Sequence, residues 1–199
     1  MAAARAFARG GYHATTMQDI AREAGYTPPS LYVYFTGKEQ IFGELAALLS
    51  REFVAVFDEP VPAGLSLAER LEHLLRQLFA KSDRYRDAVT VFLVARLSGE
   101  RLMTEGMTRG SSHGADFSSV QLLTTWLAKN AKQGELGEHP VEAMGVALAG
   151  LAHAFCIKWL ADGSQTSNAS VASCVVSQFL YGALGAAPRA ETSRVRVPE

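Results

Sequence analysis

The sequence predicts an all-α protein of about nine helices. Apolar residues recur at three- and four-residue spacing along nearly the whole chain, and no convincing strand pair appears. Gly, Pro and Ser/Thr caps punctuate the apolar segments at helix-like intervals. At 199 residues, with 48% hydrophobic and 20% charged side chains, the composition is that of a soluble globular protein with one or two small domains.

Met1 to Arg9 reads as the end of a first helix, closed by Gly10-Gly11. Thr16 and Asp19 have the spacing of a capping box, which opens a short second helix. Ile20, Ala21 and Ala24 give that helix an apolar face. Gly25 stands where a helix stops in the left-handed conformation. Thr27 before Pro28 suits an N-cap followed by proline at the first helical position. In this third helix Leu31 and Phe35 can point inward, leaving Ser30, Tyr32, Val33 and Tyr34 on the other faces. Thr36-x-x-Glu39 has the spacing of another capping box, opening a longer helix from Lys38 to about Phe57 with Ile41, Phe42, Leu45, Leu48, Leu49, Phe53 and Val56 in register. Two short helices around a Gly-containing turn make a helix-turn-helix, whose second helix enters the DNA major groove.

Pro60 to Gly64 breaks the long helix, and Ser66 with Glu69 caps the next, which runs through Leu71, Leu74, Leu75, Leu78 and Phe79. Tyr85 to Leu97 follows. Ser98 to Gly114, rich in Gly, Ser and Thr, is expected to be a mobile connection. Phe117 to Lys132 is helical as far as Gly134, and Pro140 opens a helix reaching Ala161. A polar loop over Asp162 to Asn168 leads to a last helix from Ala169 to Leu184, and the tail from Ala187 is expected to fray.

The residues Phe7, Gly11-Tyr12, Thr15-Thr16, Ile20-Ala21, Ala24-Gly25, Leu31-Tyr32, Tyr34-Phe35 and Lys38 resemble the TetR-type bacterial transcriptional regulators. The resemblance is strong over the first fifty residues and continues beyond them only in helical layout and length. It implies a DNA-binding domain over 1–50, a ligand-binding and dimerisation domain over 51–187, and a flexible tail over 188–199. Met1 aligns with the middle of the family's first helix, so the chain reads as shortened at its N-terminus.

Within the reading head, Thr16 suits a phosphate oxygen at its helix N-terminus, or serves as a plain cap. Gln18, one turn along, reaches either a base edge or a phosphate, or is simply exposed. Thr27, Pro28, Pro29 and Ser30 form the leading end of the recognition helix. The prolines and Val33 can supply only apolar contact, for example to thymine methyls. Tyr32 and Tyr34 carry hydroxyls for phosphate, though Tyr34 equally suits half-buried packing, and Lys38 resembles the family's phosphate-contacting lysine. Residues 1–55 hold five basic side chains (Arg5, Arg9, Arg22, Lys38, Arg51) and five acidic ones (Asp19, Glu23, Glu39, Glu44, Glu52). A neutral module binds DNA poorly alone, so two modules on a dimer reading a near-palindromic double-stranded operator are expected.

The helix after Pro140 has an apolar seam of Val141, Met144, Leu148, Leu151, Phe155 and Trp159, with small residues over much of the rest, and so reads as buried on both sides. By resemblance, it and the last helix form a four-helix homodimer interface with their copies. The resemblance also implies a small-molecule pocket, with Phe92, Arg96, Met103, Met107, Phe117, Trp126, His153, Phe155 and Trp159 as candidate lining, each of which also reads as ordinary core. A hydrophobic or aromatic effector fits such residues.

No cofactor or metal is called for. Cys156 and Cys174 form no CxxC and read as small buried hydrophobes. The start lacks a signal-peptide pattern, and Glu142, His153 and Lys158 interrupt the most apolar stretch, so a cytoplasmic protein without a membrane span is expected. His13, His73, His113, His139 and His153 are scattered, and no HExxH, GxSxG, Walker or Rossmann pattern occurs, which argues against an enzyme. The expected activity is that of a ligand-released repressor. The alternative is a helical dimeric sensor or partner-binding protein whose DNA binding is weakened or lost.

Overall fold

Nine helices form among the described residues: α1 Ala2–Gly10, α2 Met17–Ala24, α3 Pro28–Tyr32, α4 Lys38–Asp58, α5 Leu67–Arg84, α6 Arg86–Leu97, α7 Ser119–Asn130, α8 Val141–Ala161 and α9 Asn168–Leu184. The structure is a computed structural model and describes residues 1–97, 119–161 and 168–184. The connection expected over 98–114 and the tail from Ala187 lie outside the described residues.

Two of the three capping boxes form as the spacing predicts. Thr16 accepts from the Asp19 amide while the Asp19 carboxylate takes the Thr16 N–H at 3.0 Å. Ser66 and Glu69 do the same at the start of α5. The third differs. Gly37 is the N-cap of α4, and Gln40 rather than Glu39 reaches back, accepting from the Thr36 N–H at 2.7 Å. The expected box is displaced by one residue because Glu39 turns away to accept from the Tyr12 hydroxyl at 3.3 Å. Gly25 ends α2 at φ 72°, ψ 25°, the left-handed conformation in which a side chain would be strained.

A single apolar core runs through the molecule, from Ala4, Phe7 and Ile20 through Phe42, Leu71, Leu75 and Leu127 to Leu148, Val175 and Phe179. Helix α1 packs against α2, α4 and α6, so the N-terminal helices are joined to the rest through α1 as well as along α4. The junction is aromatic. Phe92 of α6 lies 4.7 Å from the Phe42 ring, and Phe42 lies 4.9 Å from Tyr12 and 6.0 Å from Phe7. Further along, Lys81 of α5 pairs with Glu52 of α4 at 2.6 Å, and Arg70 pairs with Glu135 at 2.5 Å beneath the segment between α7 and α8.

Helix α8 is long and apolar enough to cross a membrane by length and composition alone, with a mean hydropathy of 1.5 over its most apolar window. Here it lies against α7 and α9, burying Met144, Gly145, Leu148, Ala149, Cys156 and Trp159. The expectation of burial on both sides is met on one side only. Ala143, Val146, Ala147, Gly150 and Ala154 stay exposed in the single chain. Cys174, expected to be buried, is likewise exposed, because it falls on the outer face of α9 with Ser173 and Gln178.

Candidate nucleic-acid interface and ligand groove

The recognition helix is short and anchored by a single buried side chain. Leu31 is buried against the core and Phe35 half-buried beside it, so the rest of the turn faces outward. Tyr32, Val33 and Tyr34 are 57%, 76% and 73% exposed, and Tyr26 on the preceding turn is 64% exposed. Thr27 and Pro29 are exposed, while Pro28 and Ser30 are half-buried. Thr27 is the N-cap of α3, but its side chain does not cap. Its hydroxyl meets that of Ser30 at 2.8 Å, an arrangement that leaves donors on the leading edge. Gln18 and Thr16 are exposed on the neighbouring face of α2. The Thr16 hydroxyl is committed to Asp19 at 2.5 Å, and that contact, followed by the Thr16 N–H, holds the Asp19 carboxyl below its usual range.

Residues 1–45 contain four basic side chains, Arg5, Arg9, Arg22 and Lys38, and all four have partners inside the protein. Glu23 takes both Arg5, at 2.7 Å, and Arg9. Asp19 takes Arg22 at 3.2 Å. Lys38 donates at 2.9 Å to each of the Tyr12, His13 and Thr15 carbonyls. This internal pairing was not legible in the sequence, where the charges could be counted but not matched.

Residues 1–45 match the sequence profile described as "Bacterial regulatory proteins, tetR family". Over this segment the chain is similar to the TetR-type regulators. Its similarity to the repressor KstR2 of Rhodococcus jostii is 33% identity over 90 residues, which spans 45% of this chain and 44% of that protein. The match therefore covers less than half of the curated relative. A TetR-like regulator from Rhodococcus sp. RHA1 has a similar structure, with a TM-score of 0.63, 25% identity and 92% of each chain covered. The fold is also similar to that of FadR from Bacillus subtilis in complex with stearoyl-CoA, with a TM-score of 0.69 at 19% identity over 91% of this chain and 95% of that one.

The helical body holds a groove of about 380 Å³ between the C-terminal half of α4 and α7. Val54, Phe57, Leu122 and Trp126 form its floor, with Asp58, Gln121, Thr125 and Lys129 around them. Of the residues expected to line a pocket, Trp126 is the one found here. Phe92 belongs to the aromatic junction with Phe42. Trp159 is buried under the Arg86 guanidinium, 4.9 Å from its ring, and edge-on to Phe79. Phe155 and His153 are half-buried on α8. Met103, Met107 and Phe117, and the side chain of Arg96, lie outside the described residues. Val54, Phe57 and Leu122 were missed because they lie off the apolar register read for their helices. Only the meeting of α4 with α7 brings them together around one groove.

Proposed function

We propose that this chain is a ligand-responsive transcriptional repressor that binds a near-palindromic operator as a homodimer. The observation that carries the reading is the outer face of the helix-turn-helix. Three consecutive large side chains, Tyr32, Val33 and Tyr34, stand more than half exposed where a recognition helix meets DNA. Such a cluster signals a contact surface rather than a solvated face. Thr27, Pro29, Ser30 and Gln18 lie beside it, so hydroxyl and apolar contacts dominate.

The bare stripe on α8 and the exposed side of α9 support dimerisation through these two helices, which would place two heads on two half-sites. The groove lined by Trp126 supports a small apolar or aromatic effector with a polar end, since its floor is apolar and its rim carries Lys129 and Asp58. An effector wedged between α4 and α7 would favour one tilt of α4, and with it one spacing of the heads. A cytoplasmic location accompanies this role.

The second reading, a dimeric sensor that no longer binds DNA, is favoured by the internal pairing of all four basic side chains of the head. Selection of bound duplexes from a random pool separates the two. The repressor reading expects enrichment of two half-sites related by a dyad. A pool that stays random after repeated rounds would leave the sensor reading in place.

A further inference from the structure

An ammonium group carries three protons and no acceptor, and when it leaves water each proton needs an oxygen. The Nζ of Lys38, a half-buried residue, has three, the carbonyls of Tyr12, His13 and Thr15, all at 2.9 Å. The Tyr12 ring, 4.9 Å from the same nitrogen, closes a further side. Tyr12 is itself fixed. Its ring packs on Phe7 and Phe42, and its hydroxyl donates to Glu39, the residue after Lys38. Burial, then the charge of Glu39, push the Tyr12 phenol up to about 12, so it stays a neutral donor.

These three carbonyls line the loop between α1 and α2, which ends at Thr16, the N-cap of α2. Carbonyl oxygens converging on one point repel one another unless a cation sits among them. We infer that Lys38 is a positioning residue for DNA binding: its ammonium gathers the α1–α2 loop onto the start of α4 and so fixes how α2 and α3 are presented. The family pattern implies instead a lysine whose charge is spent on a DNA phosphate. Turning to a phosphate would require Nζ to release all three carbonyls at once. The inference rests on the proposed DNA-binding reading.

The two roles separate in a salt series. A duplex recovered from the selection above, or from the DNA flanking the coding region, is titrated with the unaltered protein, Lys38→Met and Lys38→Arg. Amide hydrogen exchange over residues 11–19 is followed in the free proteins. As a clamp, Lys38→Met weakens binding by about tenfold while the slope of log affinity on log salt is unchanged, because no phosphate contact is lost. Exchange over the loop accelerates. Lys38→Arg fails to restore affinity, since a planar guanidinium cannot aim three N–H bonds at oxygens clustered about one point. As a phosphate contact, Lys38→Met lowers the slope by about one per head, Lys38→Arg retains binding, and loop exchange is unchanged; that set overturns the inference. Faster exchange with unaltered affinity would make Lys38 merely structural and overturns it as well. Failure of the unaltered protein to bind any duplex would sink the DNA-binding reading together with this role, whereas a changed slope sinks only the role.

Discussion

Gly145 on α8 faces Thr124 of α7 so closely that an added Cβ would lie 2.8 Å from the Thr124 Cβ and 3.0 Å from its Cα. The second contact is backbone, so relief requires the helices to part. Gly145→Ala is expected to destabilise the fold by about 1–3 kcal/mol, measured by denaturant unfolding. A neutral substitution would mean that α7 and α8 are spaced more widely. Trp159, 4% exposed, is a second fixed point. Trp159→Ala is expected to cost about 3–5 kcal/mol, while a loss below about 1 kcal/mol would place that ring in an open pocket. The sequence showed the small-residue character of α8 and the burial of Trp159, since both follow from helical spacing. It could not show which small residue touches a neighbour, because a helix crossing point depends on distant segments. The same limit applies to Lys38, whose identity was readable while its three carbonyl partners were set by how a loop folds back.

At the scale of elements, helix starts were legible wherever a short polar side chain met an acid three residues on. Thr16 with Asp19 and Ser66 with Glu69 behaved as that local chemistry dictates. Thr36 with Glu39 did not, because a tertiary partner, Tyr12, claimed the acid. The two closed boxes also make stability depend on pH. The Thr16 hydroxyl, then its N–H, lowers the Asp19 pKa, and the Ser66 N–H, then its hydroxyl, lowers that of Glu69. A carboxyl depressed in the folded state contributes stability present above its unfolded value, about 4, and lost as pH falls through the lower folded value. The thermal midpoint is therefore expected to fall below about pH 4, and the Asp19→Asn, Glu69→Gln double variant should show a shallower fall. A double variant with an unchanged acid profile would remove these caps as the cause. The aromatic junction makes a related point. Phe92 was expected near a ligand, but helical spacing cannot tell a pocket wall from a contact between elements, and here it meets Phe42.

The whole molecule is held by two features that no single element displays. One is the bare stripe along α8, apolar or small, together with the mixed outer side of α9, both uncovered in one copy. The proposed dimer predicts sedimentation at twice the 21.4 kDa of the chain, and Val146→Asp, at a position 57% exposed, should return it to a single copy and abolish operator binding. A monomer in the unaltered protein would contradict the dimer. The other feature is a reading head whose four basic side chains all have partners within the protein. The three-helix head was largely legible, since its caps, its turn glycine and its inward Leu31 are local, whereas the pairing of Arg5 and Arg9 on one glutamate was not.

Salt-titrated binding of the whole protein to the duplex upstream of its own coding region, against a scrambled duplex, tests the central claim most directly. Four basic side chains per head, eight per dimer, cap the slope of log affinity on log salt at about −7, and internal pairing should hold it well short of that. A dimer of such heads should bind the upstream duplex selectively, with a shallow, measurable slope. Equal affinity for both duplexes, or none for either across the salt range, would contradict it.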